Sequence, residues 1–122
     1  MIVEINDIPP SLNQIIAAAK VHWGVYSGMK KKWKKKVYES LPPTAGIFQK
    51  KVKIHITYVF PDKRKRDYDN YLGAYKLIGD GLVGEVIQDD NQNYIESLTV
   101  TFKYEKGVKK TILNITEVSE VE

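Results

Sequence analysis

Val52-Lys53-Ile54-His55-Ile56-Thr57-Tyr58-Val59-Phe60 decides the fold. In an extended chain, successive side chains point to opposite faces, so Val52, Ile54, Ile56, Tyr58 and Phe60 share one side while Lys53, His55 and Thr57 share the other. The stretch therefore reads as a strand with one face in the core and the other wet or covered by something polar. Pro61 ends it, because proline cannot continue the hydrogen-bonded ladder.

Upstream, residues 1–6 read as a short first strand stopped by Pro9-Pro10, and Ser11 offers an N-cap. Leu12, Ile15, Ile16 and Ala19 then recur at helical spacing, and Gly24 and Gly28 predict a break somewhere in 22–29. A second helical stretch runs to about Leu41, with Met29, Trp33, Val37 and Leu41 four residues apart as its buried stripe, before Pro42-Pro43 and Gly46 end it. Downstream, a helix is expected from Asn70 to about Leu82, with Leu72, Tyr75, Ile78 and Leu82 facing inward. Ile95, Leu98, Val100, Phe102 and Tyr104 suggest a third strand, Gly107 a hairpin turn, and Thr111, Leu113 and Ile115 a fourth strand. The acidic tail from Val118 is expected to fray. The expected fold is α+β: one small domain over 1–122, a mixed four-stranded sheet with helices packed on it, in the order β-α-β-α-β-β.

A chain of 122 residues, 43% hydrophobic, buries one modest core and leaves no room for a separate catalytic module. The absence of cysteine excludes disulfides, thiolate zinc sites and cysteine nucleophiles, so any metal needs oxygen or imidazole ligands. Neither His22 nor His55 stands in a metal-ligand spacing. With no secretory leader pattern at Met1-Ile2-Val3-Glu4 and no membrane-length apolar segment, the expected location is the cytoplasm, with no membrane partner.

The net charge of +4 conceals a division of the chain. Residues 1–66 carry 14 Lys or Arg against 4 acids, and residues 67–122 carry 5 against 11. The sign changes inside Lys63-Arg64-Lys65-Arg66-Asp67-Tyr68-Asp69-Asn70. Between the apolar positions of the second helical stretch lie Lys30, Lys31, Lys32, Lys34, Lys35 and Lys36, which serve either as a solvated face or as a stripe that tracks phosphates.

Asp67 and Asp69, two residues apart, can project their carboxylates to the same side and grip a divalent cation; equally, an acid here can cap the helix that follows. A second acidic pair, Asp89-Asp90, follows about twenty residues later, just before the third strand. Carboxylates that converge raise one another's pKa unless a cation lies among them, and Mg2+ (or Mn2+) is the usual cation for phosphodiester cleavage. Lys63, Arg64, Lys65 and Arg66 would then hold the DNA backbone on both sides of the scissile phosphate. Neither acidic run has the glycine and terminal glutamate of a calcium loop. Tyr68 and Tyr71, beside the acids, either stack on an unpaired base or pack inward.

Pro61-Asp62-Lys63-Arg64-Lys65-Arg66-Asp67-Tyr68-Asp69-Asn70 and Asp89-Asp90-Asn91-Gln92, preceded by Pro9-Pro10-Ser11-Leu12-Asn13, resemble three motifs of the RusA family of Holliday-junction resolvases, often carried by phages and prophages. The resemblance implies a homodimeric α+β endonuclease that nicks four-way junctions symmetrically with magnesium, in DNA recombination and repair. It implies Asp67, Asp69 and Asp90 as catalytic metal ligands, with Asp89 able to substitute for or assist Asp90, and Arg66 as a phosphate contact; the expected DNA-binding surface adds Asn13 and, from the charge stripe, Lys30, Lys31 and Lys34. The family's catalytic lysine is absent, since Gly73 stands three residues after Asn70, and Lys76, one turn further on, is the candidate replacement. A non-cleaving branched- or single-stranded-DNA binder and a flap or fork nuclease are the alternatives. If the lysine stripe tracks phosphates, the logarithm of the DNA association constant falls with log salt by about 0.9 per contacted phosphate. Replacing Lys30, Lys31 and Lys34 together by alanine is expected to flatten that slope by roughly two to three, measured by anisotropy titration across a salt series.

Overall fold

The computed structural model describes residues 1–118, so the acidic tail beyond Val118 lies outside the described residues. Its elements are β1 (Ile2–Ile5), α1 (Leu12–Val21), α2 (Trp23–Ser40), β2 (Val52–Phe60), α3 (Tyr68–Gly73), α4 (Tyr75–Leu82), β3 (Ile95–Tyr104) and β4 (Lys110–Glu117). The α+β class and the mixed four-stranded sheet stand as expected, as does the break that separates α1 from α2, while the single helix expected from Asn70 proves to be the pair α3 and α4.

β2 lies inside the sheet, whose order is β1-β4-β2-β3. It runs parallel to β3, with Ile54 opposite Leu98 and Ile56 opposite Val100, and antiparallel to β4, with Ile54 opposite Ile115 and Ile56 opposite Leu113. The Gly107 turn is therefore not a hairpin. Gly107 takes a positive φ of 75° and its N–H reaches the Pro61 carbonyl at 3.3 Å, but the strands on either side of it are separated by β2. Period-two alternation says which face a strand buries and nothing about which strand it pairs with.

One face of the sheet carries the core, in which Val3, Ile5, Ile54, Ile56, Tyr58, Leu113 and Ile115 pack with Trp33 and Val37 of α2 and Leu77, Ile78 and Leu82 of α4. The other face presents Lys53, Thr99, Asn114 and Thr116 to solvent. There the His55 ring lies between two hydroxyls, Nδ1 at 2.6 Å from Thr99 Oγ1 and Nε2 at 2.9 Å from Thr101 Oγ1.

Ser11 caps α1 with a reciprocal capping box to Gln14. Ile15 is buried as expected, but Ile16 and Ala19 face solvent, so the buried stripe of α1 is narrower than the spacing suggested. The break between α1 and α2 falls at His22, which is extended (φ −162°, ψ 130°) and whose Nδ1 accepts the Gly24 N–H at 3.0 Å. Gly24 and Gly28 lie within α2 and do not interrupt it. Lys36 leaves the solvated face: its Nζ lies 2.6 Å from Asp7 Oδ2 and so ties α2 to the end of β1. Partial burial alone would raise the Asp7 carboxyl, but the Lys36 ammonium and the Ile8 amide together hold it below the usual carboxylate range.

α4 packs against α2 through glycine. A Cβ at Gly81 would stand 2.8 Å from Val37 Cβ, which places the helix backbone directly on the valine. Gly81→Ala is expected to destabilise the fold by about 1–3 kcal/mol through overpacking. In urea unfolding, the Val37→Ala/Gly81→Ala double variant should lose less than the sum of the single losses, by at least about 0.5 kcal/mol, because the second change makes room for the first.

Candidate active site

Pro61 turns the chain away from the sheet into a loop built around one guanidinium. Arg66 donates from Nη2 to Asp62 Oδ1 at 2.8 Å and from Nη1 to the carbonyls of Asp62 and Arg64, each at 3.1 Å. Its guanidinium also stacks over the Phe60 ring at 4.0 Å. The Arg66 side chain is only 15% exposed, so it shapes the loop, while Lys63, Arg64 and Lys65 point outward. Lys63 Nζ lies 5.0 Å from the Tyr104 ring. The Arg64 amide, then the Arg66 side chain, holds the Asp62 carboxyl below its ordinary range. The structural work of Asp62 was missed in the sequence, although the acid–arginine spacing of four residues and the Asp-x-Arg turn carried the signal.

The loop delivers Asp67 to the N-cap position of α3, but its carboxylate makes no capping hydrogen bond. Asp69 is exposed and accepts only its neighbour's amide, Asn70 N–H to Oδ1 at 3.1 Å. Asn70 faces the other way, and its Oδ1 accepts the Asn13 N–H at 2.9 Å. That bond joins the Pro-Pro-Ser-Leu-Asn segment to the acidic segment, with the Asn13 residue itself at the surface.

Neither tyrosine beside the acids keeps both ring faces free. Tyr68 stacks on Phe102 at 4.2 Å and 9°, and Tyr71 joins Tyr58, Phe60 and Phe102 in an aromatic cluster. The Tyr58 hydroxyl donates to the Tyr71 carbonyl at 2.8 Å, and burial pushes the Tyr58 phenol well above its ordinary range.

The expected single helix after Asp69 divides at Ala74 into α3 and α4. Tyr75, Ile78 and Leu82 are buried as expected, whereas Leu72 turns to solvent. Gly73 explains its own identity: a Cβ there would stand 2.7 Å from Leu12 Cδ2 and 2.9 Å from Leu12 Cβ. α1 occupies the space a lysine would need. Lys76, beyond the division, is exposed, with its Nζ 5.8 Å from the centre of the Tyr26 ring on α2.

The second acidic pair follows the tight turn in which Gly84 (φ 84°) donates to the Ile87 carbonyl at 2.8 Å. The two acids differ in their surroundings. Asp89 bends the turn, accepting the Asp90 amide at 2.8 Å and Asn91 Nδ2 at 3.2 Å. Asp90 packs against α4 from the turn beyond it, where it accepts the Tyr75 hydroxyl at 3.3 Å and its Oδ2 would touch a Cβ at Gly79. Burial, and then repulsion from Asp80 and Asp89, pushes the Asp90 carboxyl up against the opposing pull of the Tyr75 bond.

Asp89 and Asp90, with Asp80 and Val83, form one wall of a groove of about 540 Å³ whose other wall is α2 from Trp23 to Lys34, with Lys30, Lys31 and Lys34. Lys32 lines a separate groove with Arg64, Arg66 and Lys109. Five of the six lysines of α2 thus divide between two channels and the Asp7 tether, and Lys35 pairs with Glu39 one turn further along the helix at 3.7 Å.

Among the described residues, no three His, Asp or Glu side chains are gathered to hold a metal ion. Asp67 and Asp69 form one pair and Asp89 and Asp90 another, and Asp67 and Asp69 do not line the groove that holds Asp90. The donor chemistry nevertheless suits magnesium, which dehydrates reluctantly, keeps its waters, and is held by one or two carboxylates together with a substrate phosphate. Asp67 and Asp69, exposed and beside three outward cations, fit that pattern.

An outward cationic loop, lysines along two grooves and hard oxygen donors are features suited to phosphodiester chemistry. The family model of the endodeoxyribonuclease RusA matches residues 7–116, and the chain belongs to this family of Holliday-junction-resolving endonucleases. No curated protein matches it. Among the described residues, no helix is long and apolar enough to cross a membrane.

The Leu12 contact makes a specific expectation. Gly73→Lys should lower stability by about 1–3 kcal/mol, because the new Cβ displaces α1. Adding Leu12→Ala should recover part of that loss in the thermal midpoint.

Proposed function

We propose that the chain resolves four-way DNA junctions by magnesium-dependent hydrolysis, making paired symmetric nicks as a homodimer. The observation that carries this reading is the family match across residues 7–116. The exposed Asp67 and Asp69, directly after Lys63, Arg64 and Lys65, support it. Lys63, Arg64 and Lys65 grip the backbone phosphates, and Arg66 keeps the loop in the shape that presents them. Asp67 and Asp69 would hold the metal together with the substrate phosphate, Asp90 would join them from the separate second pair when metal and DNA are bound, and Asp89 assists by orienting Asp90 through the hydrogen bond it accepts from the Asp90 amide. Magnesium or manganese, when bound, orients the phosphate, activates water and neutralises charge on the attacking and leaving oxygens.

Lys76 supplies the cation missing at Gly73 and reaches the site from α4. Pairing of two copies gives each nicked strand its own site. The setting is recombination and repair in the cytoplasm of a bacterium, with the chain encoded by a phage or prophage. A second reading, a branched-DNA binder that does not cut, is favoured by Gly73 and by the division of the acids into two pairs.

A synthetic four-way junction with labelled arms separates these readings. With Mg2+ the wild type is expected to release symmetric nicked products, faster than from flap or fork substrates. Asp67→Asn, Asp69→Asn and Asp90→Asn are expected to cut roughly 100-fold more slowly or worse while binding the junction as tightly or more tightly. Lys76→Ala should slow cleavage without changing affinity. Binding without nicks at every Mg2+ and Mn2+ concentration would remove the enzymatic reading, and loss of binding in step with cleavage would make the aspartates structural caps.

A further inference from the structure

The groove between α2 and the Asp89-Asp90 turn holds an aromatic side chain for which the charge-based reading has no use. Trp23 is 77% exposed on its rim, whereas the chain's other tryptophan, Trp33, is 2% exposed. An exposed indole offers a large, rigid apolar face to whatever binds there, since aromatic rings carry large apolar area. The backbone beneath Trp23 is fixed: it is the first residue of α2, directly after the His22 cap.

Trp23 also begins a stripe. Tyr26, Ser27, Lys30 and Lys34 follow it at spacings of three, four, seven and eleven, which places all of them on one side of the helix, and all line the groove. The stripe runs about 16 Å, at about 1.5 Å per residue. It is aromatic at one end and cationic at the other. The Tyr26 ring holds two ammonium groups close by, Lys30 Nζ at 5.6 Å and Lys76 Nζ at 5.8 Å from its centre. Across the groove, Lys30 makes only a long, half-exposed pair with Asp80 at 3.9 Å, which is easily exchanged for a phosphate.

We propose that this face of α2 is a single-strand platform: an unpaired nucleotide stacks its base on Trp23, and the phosphates that follow lie on Lys30, Lys31 and Lys34, leading the strand toward Asp90. This deepens the nuclease reading, on which it rests for the identity of the strand as DNA at a branch. Stacking on an aromatic side chain tolerates any base, because every base has a π face, and a row of cations tracks the backbone. A duplex, whose bases are already stacked on one another, has nothing to give Trp23. The platform therefore prefers single strands. A second copy of the chain is the other occupant an exposed indole suggests; Asp80, Asp89 and Asp90 line the opposite wall, but the side of α2 that bears Trp23 carries Lys30, Lys31 and Lys34 and no acid, which favours a polyanion along the helix over an identical cationic face.

The two tryptophans make the test direct, because the exposed one reports and the buried one serves as reference. The whole chain, kept in EDTA so that nothing is cut, is titrated with an oligothymidylate and with a duplex of equal length, and tryptophan emission and anisotropy are followed. The expected result is quenching of the exposed tryptophan by the single strand and little by the duplex. Trp23→Ala should bind the single strand about tenfold more weakly or worse, with Trp23→Phe retaining most of the affinity. Unchanged Trp33 emission and helical circular dichroism show that the variants are folded.

Single-strand affinity unaltered in Trp23→Ala overturns the proposal. So does a Trp23→Ala variant whose only change is a smaller sedimenting species, which assigns the face to a protein interface. Junction cleavage by the wild type, measured in parallel with Mg2+, keeps the two readings apart. Cleavage without Trp23 dependence removes the platform alone. Trp23-dependent binding without cleavage removes the nuclease reading and leaves the platform standing.

Discussion

Ile54, Ile56 and Tyr58 must lose contact with water on the same side of β2, and most of the molecule is arranged to meet that requirement. β3 and β4 flank the strand and extend its apolar face with Leu98, Val100, Leu113 and Ile115. Trp33 and Val37 on α2, together with the apolar side of α4, close over it. Burial of each large side chain is favourable by about 1.5–3 kcal/mol, so these contacts are the main force that locates the helices. The functional segments are consequences. The cationic loop and Asp67 lie where β2 ends at Pro61, and Asp89 and Asp90 lie where the chain must return from α4 to begin β3 alongside it.

Close approach of helices sets the finer geometry. Gly81 lets α4 rest on Val37, Gly79 lets Asp90 lie against the helix, and Gly73 lets Leu12 seat α1 on α3. The last contact couples two distant motifs, since the Asn13 amide and the Asn70 side chain bond beside it. It also gives a steric reason for the missing lysine. A position filled by a neighbour's leucine cannot also hold a long cation, and Lys76 stands where the surface is open.

Charge in this protein is sorted by position along α2. Lys36 is spent on Asp7, Lys32 faces the groove with Arg64 and Lys109, and Lys30, Lys31 and Lys34 face Asp89 and Asp90. Arg66 stands apart from its three basic neighbours in the loop, because it satisfies Asp62 and two carbonyls and stacks on Phe60. A run of identical charges is thus divided among structural tethers and surfaces open to a polyanion.

The sequence by itself determined the four strands, the helix-bearing stretches, the α+β class, the family motifs and the reversal of charge at Asp67. These are local: alternation, helical spacing, capping at Ser11 and proline stops are set by the backbone geometry of neighbouring residues. The tertiary structure alone decided that β2 separates β3 from β4, that Leu72 and Ile16 face outward, and that Asp90 packs against α4 through the Tyr75 hydroxyl. It alone left Trp23 bare on a groove walled by lysines and aspartates, while it stacked one face of Tyr68 on Phe102 and packed Tyr71 into the aromatic cluster. The physical reason is common to all of these. Which residue meets which across the fold depends on contacts between segments far apart in the chain, and periodicity encodes the face a side chain takes but not the partner it finds there.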